Sequence, residues 1–138
     1  MAKPVVFSLI ESPQHPKLSP ILEQLGFAEV QFSSVRKILN AIKKQQPDII
    51  LADFIYAYAT NYDSNHMCNM DSLFVTLQKK AMKKPDFIFF TSKSELDGLQ
   101  KTMQHYEGSY RKVDVFPYPV NPGLVKDLLL NFNNTPSV

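Results

Sequence analysis

A single cysteine, Cys68, rules out an internal disulfide and suits a reducing, cytoplasmic setting. With His66 it makes only a short H-x-C pair, far from the four ligands of a structural zinc site. Glycine is scarce, with four in the chain and none clustered after the first apolar run, so no glycine-rich phosphate loop is present. The three histidines, His15, His66 and His105, fall in three separate connections, and none stands beside an obvious nucleophile. These gaps argue against a small α/β ligand-binding domain or enzyme. Charge is sparse too: the formal net charge of +2 implies no nucleic-acid partner. The local run KKAMKK (Lys79, Lys80, Lys83, Lys84) is read as a solvated helix end. No signal peptide or membrane-spanning run is seen, since the early apolar stretch breaks at Glu11 and Pro13.

What is present is ordinary for a folded domain, 44% hydrophobic and 20% charged over 138 residues, which fits a single domain over 1–138. Five strand-like runs stand out: PVVFSLI (4–10), AEVQF (28–32), DIILAD (48–53), DFIFFT (86–91) and VDVFPY (113–118). The third and fourth are almost continuously apolar, as in strands covered on both faces, whereas the second alternates and belongs at an edge.

Helical spacing fills the gaps. Leu18, Ile21, Leu22 and Leu25 precede Gly26, a C-terminal stop. Val35, Ile38, Leu39 and Ile42 precede QQPD, and Met70, Leu73, Phe74 and Leu77 form a third stripe. Leu96, Leu99, Met103 and Tyr106 form a fourth, and Asn121 and Pro122 cap and open a last helix. Such alternation predicts an α/β fold, a doubly wound five-stranded parallel sheet with helices on both faces. Its functional site lies beyond the carboxyl ends of the strands. Those ends supply Glu11 and Ser12, Asp53, Thr91 and Ser92, and Tyr118 with Pro119. The segment 54–69 is a long insertion rich in Tyr and Asn, in position to cover the site or dock a partner. Residues 133–138 read as a frayed tail.

QPDIILADF, MDSLFVTLQ, PDFIFFTS and VFPYPVNPGLVKDLL together resemble the receiver domain of two-component response regulators, from about Val5 to Phe132. The connection after Asp53 is longer than is usual in that family. The resemblance implies a flavodoxin-like sheet of order 2-1-3-4-5 and a phosphoacceptor at Asp53. It puts the conserved hydroxyl on Thr91, with Ser92 as the small residue after it. The usual acidic pair falls on Ile10 and Glu11, so one carboxylate is missing. The usual lysine falls on Tyr118, while Pro119 keeps the proline, with a cis bond expected before it.

Phosphoryl transfer to a carboxylate needs an in-line oxygen and compensation of charge. Glu11 and Asp53 alone make a weak magnesium site, because the ion prefers an octahedral set of oxygens. A phenol at Tyr118 stays neutral near pH 7 and offers one O–H donor, to Asp53 or to a phosphoryl oxygen, where an ammonium offers a full charge. Lys93 is the one nearby candidate to replace that charge. Thr91 is expected to cap the helix starting near Ser94. The expectation is an atypical, pseudo-receiver-like signalling protein with no enzymatic activity. It works by binding a protein, a sensor kinase or downstream effector, or by forming a homodimer, through the face of the fourth helix, fifth strand and fifth helix that the resemblance implies. The alternative is a working magnesium-dependent phospho-Asp53 receiver.

Overall fold

The structure, a computed structural model, describes residues 3–56 and 67–134. Five strands, β1 (Val5–Leu9), β2 (Ala28–Phe32), β3 (Ile49–Asp53), β4 (Asp86–Thr91) and β5 (Lys112–Pro117), alternate with five helices. The helices are α1 (Ser19–Gln24), α2 (Val35–Ile42), α3 (Asp71–Leu77), α4 (Leu96–His105) and α5 (Pro122–Asn134), with a 3-10 turn at Lys93–Glu95 leading into α4. The sheet is parallel throughout, in the order β2-β1-β3-β4-β5.

Side chains alternate across a strand, so each strand feeds two cores. Phe7, Leu9, Ile50, Ala52, Phe87 and Phe89 face Ile38 and Ile42 of α2, Leu73, Phe74 and Leu77 of α3, and Leu99 and Met103 of α4. Val6, Ile49, Leu51, Ile88 and Phe90 face Leu22 of α1 and Val125 and Leu129 of α5 on the other side. Every residue of β3 and β4 is buried, which is why their sequences read as unbroken apolar runs. The edge strand β2 keeps Val30 at 39% exposure. Phe7, Phe54, Phe74, Phe87, Phe89 and Phe90 are all essentially inaccessible, each stabilising by about 1.5–3 kcal/mol through burial.

Local chemistry sets the helix ends. The Ser34 side chain accepts from Lys37 N to cap α2, and Asn121 Oδ1 accepts from Gly123 N at 2.9 Å to open α5. Gly26, at φ 86°, turns the chain out of α1 in the left-handed conformation that glycine adopts without a steric cost. The expected tail is shorter than 133–138, because α5 runs on through Asn134; positions 135–138 lie outside the described residues. Of the insertion, positions 57–66, with Tyr58, Asn61, Tyr62, Asn65 and His66, also lie outside them. Its two ends are close together: Tyr56 and Cys68 form an antiparallel bridge, and Asn69 N donates to Ile55 O at 3.0 Å. Among the described residues no helix is long and apolar enough to cross a membrane.

Candidate functional site

The carboxyl ends of β1, β3, β4 and β5 meet around Asp53, which is fully buried. β3 ends there because Ile49–Ala52 are locked into two ladders and Asp53 itself pairs with Phe90 of β4. Its carboxylate is held by four donors. Oδ2 accepts from Glu11 N at 2.9 Å and from Ser12 N at 3.0 Å, where the chain leaves β1 and turns toward α1. The same oxygen lies 2.9 Å from His15 Nδ1, whose ring is edge-on to Phe90 with centroids 5.1 Å apart. Oδ1 accepts the Tyr118 hydroxyl at 2.5 Å. Burial alone would raise the Asp53 pKa, but the hydrogen bonds from His15, Tyr118 and the Glu11 backbone outweigh it and hold the carboxyl below its ordinary value. The phenol answers in the opposite sense: burial, then its bond to the Asp53 anion, push Tyr118 well above the ordinary phenol range.

Glu11 sends its backbone, rather than its carboxylate, to Asp53. The carboxylate is turned to Asn69, whose Nδ2 donates to Glu11 Oε1 at 2.6 Å and to the Asp53 carbonyl at 2.9 Å. Asn69 Oδ1 accepts from Ile55 N at 2.9 Å, so this one amide ties the end of β3, the exit of β1 and the returning chain together. Burial and the charge of Asp53 raise the Glu11 pKa, against the lowering effect of Asn69.

Thr91 is fully buried, but it does not cap a helix as the sequence suggested. Its hydroxyl donates to Phe54 O at 3.0 Å or to Glu95 Oε2 at 3.2 Å; one proton serves one of them at a time. The other Glu95 oxygen accepts from Tyr56 N at 3.1 Å. The turn after β4 starts at Lys93, one residue earlier than expected, and Ser92 at its head makes no side-chain cap. Ser92, Lys93 and Pro119 are exposed, and Lys93 is not among the partners of Asp53. The Tyr118–Pro119 bond is cis, as expected.

His15, Asn69 and Glu95 are the residues that sequence reasoning missed. His15 reads from the sequence as one of three scattered histidines, yet its Nδ1 lies 2.9 Å from the Asp53 carboxylate. Its signal was position: it belongs to the loop leaving β1, at the rim where sites form. Ile10, at the missing acid's position, lines a groove with Pro13, Pro16 and Glu29 beside this loop.

These donors do not fit a magnesium ion. An octahedral ion needs several oxygens presented to one point. Here both Asp53 oxygens are engaged by protein donors, and the Glu11 carboxylate is engaged by Asn69. Among the described residues no three His, Cys, Asp or Glu side chains converge where an ion could sit.

The sequence matches no family model and no curated protein. Solved structures match over the full chain. A response regulator receiver protein from Burkholderia phymatum is 16% identical with a TM-score of 0.65, covering 98% of this chain and 98% of its own. A response regulator protein from Burkholderia multivorans is 12% identical with a TM-score of 0.67, covering 100% and 99%. The receiver domain of a sensor histidine kinase from Pseudomonas aeruginosa, solved with a magnesium ion coordinated in its active site cleft, is 12% identical with a TM-score of 0.62, covering 97% and 100%. Sheet order, helix placement and these full-length superpositions agree that the chain has the flavodoxin-like fold of response-regulator receiver domains.

Proposed function

We propose that this chain is an atypical, receiver-like signalling protein, one domain over 1–138, that acts by binding another protein and performs no chemistry of its own. Asp53 sits at the phosphoacceptor position of the fold, but it serves as an anchor. The observation that carries this reading is its closed hydrogen-bond clasp, from His15, Tyr118 and the Glu11 and Ser12 amides. A phosphoacceptor must present a free oxygen in line with the donor and a cation to offset the incoming charge. Here Oδ2 already takes three donors and Oδ1 the Tyr118 hydroxyl, and the former lysine position offers a neutral phenol. The switch residues are recast in the same way, with Thr91 tied to Phe54 and Glu95 and Tyr118 tied to Asp53. With the Glu11 and Asp53 carboxylates both held by protein donors, magnesium affinity is weak or absent. The partner, a sensor kinase or a downstream effector, meets the chain in the cytoplasm.

The test is a mobility-shift assay with acetyl phosphate and Mg²⁺ on wild type, Asp53→Ala and His15→Ala. No shift on wild type, under conditions that phosphorylate an ordinary receiver, is the expected result. A magnesium-dependent shift that disappears in Asp53→Ala would establish a working receiver instead.

A further inference from the structure

The small net charge conceals a strong segregation. Residues 33–47 and 72–85 contain eight of the 15 Lys and Arg residues and none of the 13 Asp and Glu residues. The fold brings these two segments together. Ile38 and Ile42 of α2 share a core with Leu73 and Leu77 of α3. The loop after α3 is stapled back to the chain after α2, because Lys83 N donates to Gln46 Oε1 at 2.6 Å and Lys83 Nζ pairs with Asp48. Lys84 Nζ turns onto the Leu77 and Lys79 carbonyls, closing the end of α3. Asp48, the carboxylate at the border of this face, is thus occupied by Lys83, and its other oxygen accepts from Val5 N. Lys43, Lys44, Lys79 and Lys80 are all exposed and make no ion pair among the described residues.

Between the two segments is a cleft of about 330 Å³, lined by Leu39, Ile42 and Met82 with Thr76, and flanked by Lys43 and Lys79. Its floor is apolar and recessed: Ile42 is 3% exposed, and Leu39 and Met82 are half-buried. An apolar cleft of this size admits one large side chain, and two unpaired ammonium groups at its lip favour carboxylates on either side of it. Nucleic acid fits less well, because the face carries one arginine against seven lysines and no aromatic ring on which a base could stack. A lipid surface calls for protruding apolar groups, whereas these are recessed.

We infer that the α2–α3 face is a docking surface for an acidic protein segment carrying a large aliphatic or aromatic side chain, which enters the cleft between Lys43 and Lys79. The inference rests on the reading of the chain as a protein-binding signalling module. Its test reads a face remote from Asp53, so failure here leaves the phosphodonor result standing, and the reverse.

The probe is a fluorescein-labelled peptide, Glu-Asp-Glu-Glu-Leu-Phe-Glu-Glu-Asp-Glu, titrated against the whole chain by anisotropy and by amide chemical-shift mapping. Shifts should centre on residues 39–44 and 76–82. K43E/K79E should weaken binding at least about tenfold, and K101E, on α4, should leave it unchanged. Replacing Leu-Phe in the peptide by Ser-Ser should cost a similar factor. Shifts spread over other faces, or equal affinity for the Ser-Ser peptide, would overturn the proposal. So would tighter binding of a thymidine oligonucleotide or phosphatidylserine vesicles through the same lysines, or self-association that accounts for the anisotropy. Mapping on wild type decides the matter even if the double variant fails to fold.

Discussion

Replacing Asp53 by alanine distinguishes an anchor from a phosphoacceptor by the sign of the effect on stability. In a site of clustered carboxylates, removing one relieves like-charge repulsion and the fold gains stability. Here Asp53→Ala leaves His15, Tyr118 and two backbone N–H groups without their acceptor. Hydrogen bonds to a charged group contribute about 1.5–3 kcal/mol each, and an orphaned buried donor costs about 1–3 kcal/mol. Ser12 and Tyr118 are only half-buried and Glu11 is exposed, so water recovers part of this loss. A net loss of about 3 kcal/mol follows, or roughly 10 °C in Tm for a domain of this size. Urea denaturation monitored by circular dichroism at pH 7 measures it. The pH dependence has a definite sign. Because folding lowers the Asp53 pKa, the stabilisation is complete above the unfolded value of about 3.9 and is lost as pH falls through the native value. The gap between wild type and Asp53→Ala should therefore narrow in acid. An unchanged or raised Tm for Asp53→Ala at pH 7 would refute the clasp.

Three further outcomes follow from neighbouring contacts. A Cβ on Gly98 would run into the Tyr56 ring, so Gly98→Ala should destabilise the wild type by about 1–3 kcal/mol; in a Tyr56→Ala background it should stabilise by up to about 1 kcal/mol, a reversal that a double-mutant cycle reads directly. Asn69→Ala removes three hydrogen bonds at the meeting of β1 and β3 and should cost about 2–3 kcal/mol by urea denaturation, with protease cleavage in the 57–66 segment becoming faster. Burial and the Asp71 charge push the Cys68 thiol up to about 12, leaving roughly one thiolate in ten thousand at pH 8; iodoacetamide should leave the native protein unlabelled over hours and label it within minutes in urea.

The fold was legible because its strands differ in a way that burial dictates. The unbroken apolar runs at 49–52 and 87–90 announced the central strands, and alternation at 28–32 announced the edge. Asp53 was legible because a lone carboxylate ending such a run must sit at a sheet rim, and of the two acceptors expected for the Tyr118 hydroxyl, Asp53 or a phosphoryl oxygen, it meets Asp53. His15 and Asn69 were not, because each reaches Asp53 from a connection, 38 and 16 residues away in sequence, and no periodicity encodes the direction of a side chain in a connection. Glu11 looked like a ligand by position, yet its backbone and side chain divide between two partners, which only the path of the loop determines. Thr91 misled because hydroxyl-then-acid is also the pattern of a helix cap, and here the acid, Glu95, turned back to meet the hydroxyl.

The bridge between Tyr56 and Cys68, reinforced by Asn69 on Ile55, makes the two ends of the 57–66 segment neighbours irrespective of what lies between them. The entropy of closing a loop grows only logarithmically with its length. Evolution, or an engineer, can therefore lengthen, shorten or exchange that segment at little cost to the sheet, and a tag or a foreign epitope grafted there would ride on a rigid doorway. The neck thus lets the clasp and the inserted segment change independently of one another.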